Sequence, residues 1–119
     1  MKQILSFTAA TALFLLAGCI TPPDEKAYDA WKTMTTEVTS MMTQWGVWVD
    51  LVKPTPIVEL PVKNAHAKWV KVATETRITI IAYKNRDITL GQLELKLNQC
   101  SNARNELRDA IAFAKTIPR

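Results

Sequence analysis

The sequence predicts a mainly α-helical protein, and three observations carry that expectation. Trp31, Val38, Trp45 and Val52 recur every seven residues within residues 24–52, a stretch without proline, and this is the 3.5-residue seam of a long packed helix. Thr89 is followed three positions later by Gln92, the reciprocal pairing that opens a helix. The one β-branched run, residues 76–81, has no second β-rich run to pair with, so a sheet lacks its other strand.

Residues 1–18 read as an export signal. Lys2 supplies a positive start, residues 4–16 are a mostly small and aliphatic run, and Leu16, Ala17 and Gly18 form a small-residue cleavage site. The run breaks at Pro22 and Pro23, short of the roughly 20 apolar residues that span a bilayer. Leu16, Ala17, Gly18 and Cys19 together resemble the lipobox of bacterial lipoproteins. The resemblance implies cleavage before Cys19, a diacylglycerol on its thiol and an acyl chain on the freed amine; no other cofactor is expected. At about 0.8 kcal/mol per buried methylene, such an anchor is effectively permanent. Ile20 stands where lipoproteins retained at the inner membrane usually carry Asp, so the resemblance points to the periplasmic face of the outer membrane.

Residues 19–23 form a short linker, in which Thr21 is a candidate N-cap before two prolines and Asp24. The first helix is expected over residues 24–52, about 43 Å at 1.5 Å per residue. Its five threonines and Gly46 lower its intrinsic helix propensity, so it needs packing against another element. Pro54, Pro56 and Pro61 predict an extended connector over residues 53–61, because proline lacks an amide donor and restrains the residue before it. Residues 62–83 admit two readings. Ala65, Trp69, Val72, Thr76, Ile80 and Tyr83 fit a helical stripe, which is favoured, while the β-branched residues 76–81 also suit a strand. After the polar break at residues 84–87, the last helix is expected over residues 89–116. Ile88 is placed to staple onto Leu93, and Leu93, Leu97, Cys100, Leu107, Ile111 and Ala114 form a seam that Arg104 interrupts.

Cleavage would remove only Lys2 from the charged residues, leaving 14 Lys+Arg against 11 Asp+Glu, a net charge of about +3. The cations are scattered, without the clustered stripe that nucleic acid requires, so no nucleic-acid partner is expected. Chemistry is mostly absent. His66 is the single histidine and has no second ligand at metal spacing. Gly18, Gly46 and Gly91 make no phosphate-binding loop, and the carboxylates are not paired for acid–base work. A metal site or an enzyme is therefore not expected. Trp31, Trp45, Trp48 and Trp69 suit a core first, and a ligand groove or membrane interface second.

A lipidated Cys19 leaves Cys100 as the remaining thiol in an oxidising compartment. An odd cysteine there suggests an intermolecular disulfide, and in a parallel homodimer two copies of Cys100 on the seam would face each other. A buried free thiol is the equal alternative. A core of this size is marginal alone, which predicts a homo-oligomer or a partner docked on the seam of Trp31, Val38, Trp45, Val52, Leu93, Leu97 and Leu107.

Residues 87–93, followed by Leu97, Asn98, Cys100, Asn102 and Leu107, resemble the C-terminal part of outer-membrane spanin subunits, small phage lipoproteins. That resemblance covers the lipobox and this one segment. It implies an outer-membrane lipoprotein, often disulfide-linked, that binds the periplasmic coiled coil of an inner-membrane partner and joins the two membranes at the end of host lysis. The alternative expectation is an envelope-binding or superinfection-exclusion lipoprotein that blocks a receptor or steadies an envelope complex.

Overall fold

Three helices, α1 (Pro23–Val52), α2 (Pro56–Lys84) and α3 (Leu90–Thr116), make up the computed structural model, which describes residues 21–118. The mainly helical expectation is met, and Cys19 with the lipobox residues Leu16, Ala17 and Gly18 lies outside the described residues. The helices run up, down and up in a bundle of 53 × 27 × 20 Å. The Trp31 indole donates to the Ala73 carbonyl across α1 and α2 at 2.9 Å. Lys68 with Glu106 and Lys96 with Glu75 fix α2 and α3 as antiparallel, and Arg104 with Glu37 sets α3 beside α1.

α1 is entered differently from the expectation at Thr21. Pro22 is the N-cap, Pro23 is the first helical residue, and no side chain caps the end. Pro23 lacks an amide proton that would have gone unpaired there anyway, and Asp24 and Glu25 complement the positive end of the helix. The hydroxyls of Thr35, Thr36, Thr39 and Thr43 each donate to the carbonyl four residues back. Polar side chains of low propensity are thereby satisfied within the helix. Lys53 closes α1 in the left-handed region, φ 51°, with its amide on the Val49 carbonyl at 2.7 Å.

The connector expected over residues 53–61 shrinks to Lys53, Pro54 and Thr55. Pro56 occupies the first position of α2, where its fixed φ suits the helix. Pro61 sits inside the helix, where its missing amide forfeits the bond to the carbonyl of Ile57 and its ring crowds that carbonyl. The compensation is burial, since Val62 is 0 % exposed and Val58 and Ala65 pack on the same core. Residues 62–83 are helical throughout. Thr76 and Thr79 donate to Val72 and Glu75 at 2.7 and 2.8 Å, so the β-branched run is absorbed into the helix.

At the far end of α2, Arg86 takes φ 64°. Its amide bonds the Tyr83 carbonyl at 2.9 Å and that of Asp87 bonds Ala82 at 2.8 Å, a Schellman closure with arginine where glycine is usual. α3 then opens as expected. Thr89 accepts from the Gln92 amide at 3.2 Å and donates its own amide to the Gln92 side chain at 2.8 Å. Ile88 and Leu93 belong to one cluster with Ala27 and Ile80.

The core draws on all three helices: Met34, Val38 and Trp45 from α1, Val62, Trp69 and Ala73 from α2, and Cys100, Ala103 and Leu107 from α3. Ala27, Met34, Met41 and Trp48 form a second column beside the seven-residue one, together completing a two-position heptad stripe. Arg104 does not interrupt the seam of α3. Ala103, buried beside it, fills that position, while Arg104 turns to Glu37 at 3.3 Å.

Candidate interaction surface

The seam expected to meet a partner is covered within the chain. Val38, Trp45, Leu93 and Leu107 are buried, and Trp31 and Leu97 are half-buried against the same clusters. Val52 is half-buried at the end of α1. Packing of three apolar stripes against one another leaves none of these residues on an open face. Trp31 shows how fully the seam is used: its nitrogen bonds Ala73, and its ring meets Tyr28 at 5.7 Å and the Arg77 guanidinium at 6.0 Å. Trp45 stacks on Trp48 at 5.1 Å. These contacts are the core reading of the tryptophans.

Cys100 is a free cysteine with 0 % exposure. Burial raises its thiol pKa above the ordinary 9.0, with a hydrogen bond to the Thr76 side chain and the charges of Arg104 and Lys96 acting weakly the other way. Two copies of Cys100 cannot meet while the three helices are closed over it. The dimer geometry drawn from the seam is therefore corrected to a buried thiol, because α2 occupies the place a second copy would take.

Among the described residues no group of His, Cys, Asp and Glu could hold a metal ion, and no helix is long and apolar enough to cross a membrane. His66 is half-buried on α2, one turn ahead of Val70. Near the start of α1, a cleft of about 390 Å³ opens between α1 and α2, lined by Asp24, Glu25, Tyr28, Asp29, Ile80, Ile81 and Lys84.

What the bundle does expose is a second set of apolar side chains. Leu51 and Ile57 flank the turn between α1 and α2 at 79 % and 78 % exposure, with Val47 one turn before Leu51. A separate row runs along the outer side of α2, where Leu60, Val70, Ile78 and Ile81 are all at least half open to solvent or nearly so. The helical stripe expected over residues 62–83 leaves these positions out. The signal was nonetheless present, since Val70, Ile78 and Ile81 follow helical spacings of eight and three on the side opposite Trp69, Thr76 and Ile80.

No protein-family model, curated protein sequence or solved structure matches this chain.

Proposed function

We propose that this chain is an outer-membrane lipoprotein, held at the periplasmic face by acyl chains on Cys19, that works by contact with other molecules and not by catalysis. The observation that carries the reading is the division of its apolar residues: one set closes the core, and another, including Val47, Leu51 and Ile57, stays exposed. The exposed turn lies at the far end of α1, 30 residues and about 45 Å from its tethered start, and offers a partner protein an apolar edge.

The resemblance of residues 87–107 to spanin subunits supports a lysis role, with the periplasmic coiled coil of an inner-membrane protein as partner. A second assignment, an envelope-binding lipoprotein that blocks a receptor against superinfection, is favoured by the closed bundle with Cys100 inside it. A domain that completes its own core can bind as a module.

Expression of the intact chain in a phage-sensitive host separates the two. The lysis reading expects no effect alone and completion of lysis when the chain is joined with a muralytic enzyme and a short neighbour-encoded protein bearing one N-terminal membrane span. The exclusion reading expects reduced phage adsorption or DNA entry without lysis. In either case Leu51→Asp with Ile57→Asp abolishes the effect, and palmitate labelling of the chain disappears in Cys19→Ser; labelling that persists in that variant removes the anchor from the proposal.

A further inference from the structure

The outer side of α2 combines two properties that its inner side lacks. Val70, Ile78 and Ile81 are 49 %, 61 % and 50 % exposed, with Lys63 and Lys71 exposed on the same side; Arg77, also exposed, holds its guanidinium 6.0 Å from the Trp31 ring at the α1 border of the row. One carboxylate, Glu59, stands at the start of this side of α2, one turn before Lys63. Glu75, the acidic residue in the middle of α2, points to the α3 side, where it pairs with Lys96 at 3.4 Å. Lys63 and Lys71 take part in no ion pair among the described residues, in contrast to Lys68, which is held by Glu106 at 2.8 Å. An apolar row bordered by unpaired cations on a helix is the pattern that binds an anionic lipid surface, where the branched chains enter the headgroup boundary and the cations meet phosphate.

The tether places this face where such a surface is. From Cys19 to Pro23 the chain spans four residues, at most about 14 Å when extended. The start of α1 adjoins the Ile81 end of α2, since Asp24 and Tyr28 share a cleft with Ile81 and Lys84. A chain anchored at Cys19 therefore holds Ile78 and Ile81 within reach of the headgroups. Asp24, Glu25 and Asp29 bound the face on the α1 side of that cleft and leave the row from Lys63 to Ile78 cationic.

From charge, exposure and tether length we infer that the outer face of α2 is a membrane-docking surface for anionic phospholipid, so that the bundle lies along the leaflet that anchors it, with α2 towards the lipid. This rests on the lipid-anchored reading of Cys19. It gives that reading an orientation: the exposed edge of Val47 and Leu51, on the outward side of α1, stays available to a partner.

The test uses the mature chain purified from membranes and reconstituted through its anchor, at low density, into phosphatidylcholine vesicles with or without phosphatidylglycerol. Flotation reports the anchor. A nitroxide on Ile78→Cys, read by its accessibility to a water-soluble relaxation agent, reports the face, and Thr36→Cys on α1 serves as the outward control; buried Cys100 stays unlabelled. The expected result is flotation with both compositions. The label at position 78 should lose accessibility severalfold only where phosphatidylglycerol is present, and should regain it in Lys63→Glu with Lys71→Glu or in high salt. A label equally open on both compositions overturns the docking face and leaves the anchor standing. Protection that grows with the protein-to-lipid ratio also overturns it, in favour of a second copy as the occupant. Flotation only with phosphatidylglycerol overturns the anchor and upholds the face; flotation with neither overturns both.

Discussion

The two sides of α2 carry apolar residues in similar density and differ in what surrounds them. On the inner side, Val62, Trp69, Ala73, Thr76 and Ile80 are buried without a charged neighbour in the row, and the single polar member, Thr76, is satisfied by the Val72 carbonyl. On the outer side, Val70, Ile78 and Ile81 alternate with Lys63, Lys71 and Arg77 and meet solvent. The inner residues hold the fold because removing them opens a cavity. The outer ones contribute less to folding, since about half or more of each stays in solvent in the native state. Apolar character by itself therefore does not mark a core; apolar character without interleaved charge does.

The largest expected effect tests the inner side of that contrast. Leu107 is fully buried where α3 meets the other two helices, and Leu107→Ala should destabilise the bundle by about 2–5 kcal/mol. For a domain of this size that is a large fraction of the total stability, so urea denaturation should show a much lower midpoint. A midpoint close to that of the unaltered chain would mean that the three stripes are not packed as described.

Much of this inner side was legible in the sequence. The seven-residue recurrence of Trp31, Val38 and Trp45, the capping box of Thr89 and Gln92 and the end of α3 near Thr116 all rest on local rules, and local rules hold where tertiary packing agrees with them. Pro61 was expected in a connector because its local penalty, a lost hydrogen bond and a crowded carbonyl, is set by the sequence alone, whereas the burial of Val62 that offsets it depends on α1 and α3. Residues 76–81 were ambiguous for the same reason, because β-branched residues give no answer until a helix partner exists. The seam itself was read correctly as packed, yet its partner was misplaced. A 3.5-residue stripe looks the same whether the facing helix belongs to the same chain or to another. The candidate docking face was missed because a single stripe was sought on α2.

A second, smaller effect comes from the one titratable group on the inner side. Burial holds the Cys100 thiol protonated and raises its pKa in the folded state above 9.0. Well below pH 9.0 the thiol is neutral in both folded and unfolded chains and adds no pH dependence. As the pH rises past the unfolded value, the unfolded chain releases a proton that the folded one retains, so stability falls with pH until the folded thiol also ionises. Chemical denaturation across this alkaline range should show the decline in the unaltered chain. In Cys100→Ala, less stable at every pH from its cavity, this contribution to the slope should be gone. An unchanged slope would place the thiol in a wetter site than the closed bundle provides. At neutral pH, alkylation of Cys100 by a thiol reagent should be slow in the folded chain and fast after denaturation.

The smallest effect is expected on the outer side, and it separates the two faces most directly. Ile78→Ser with Ile81→Ser replaces two large apolar side chains, a change that inside the core would unfold a domain of this size. Here both side chains are half open or more and serine's helix propensity is close to isoleucine's, so only the covered part of each side chain is lost and the change in stability should stay at about 1 kcal/mol per position. Thermal denaturation in buffer measures it. A loss of several kcal/mol would show that Ile78 and Ile81 support the bundle, and the contrast between the faces of α2 would collapse into a single broad core. A loss that small means that folding does not depend on these isoleucines. Their position beside Lys71 and Arg77 must then be explained by something the bundle meets outside itself.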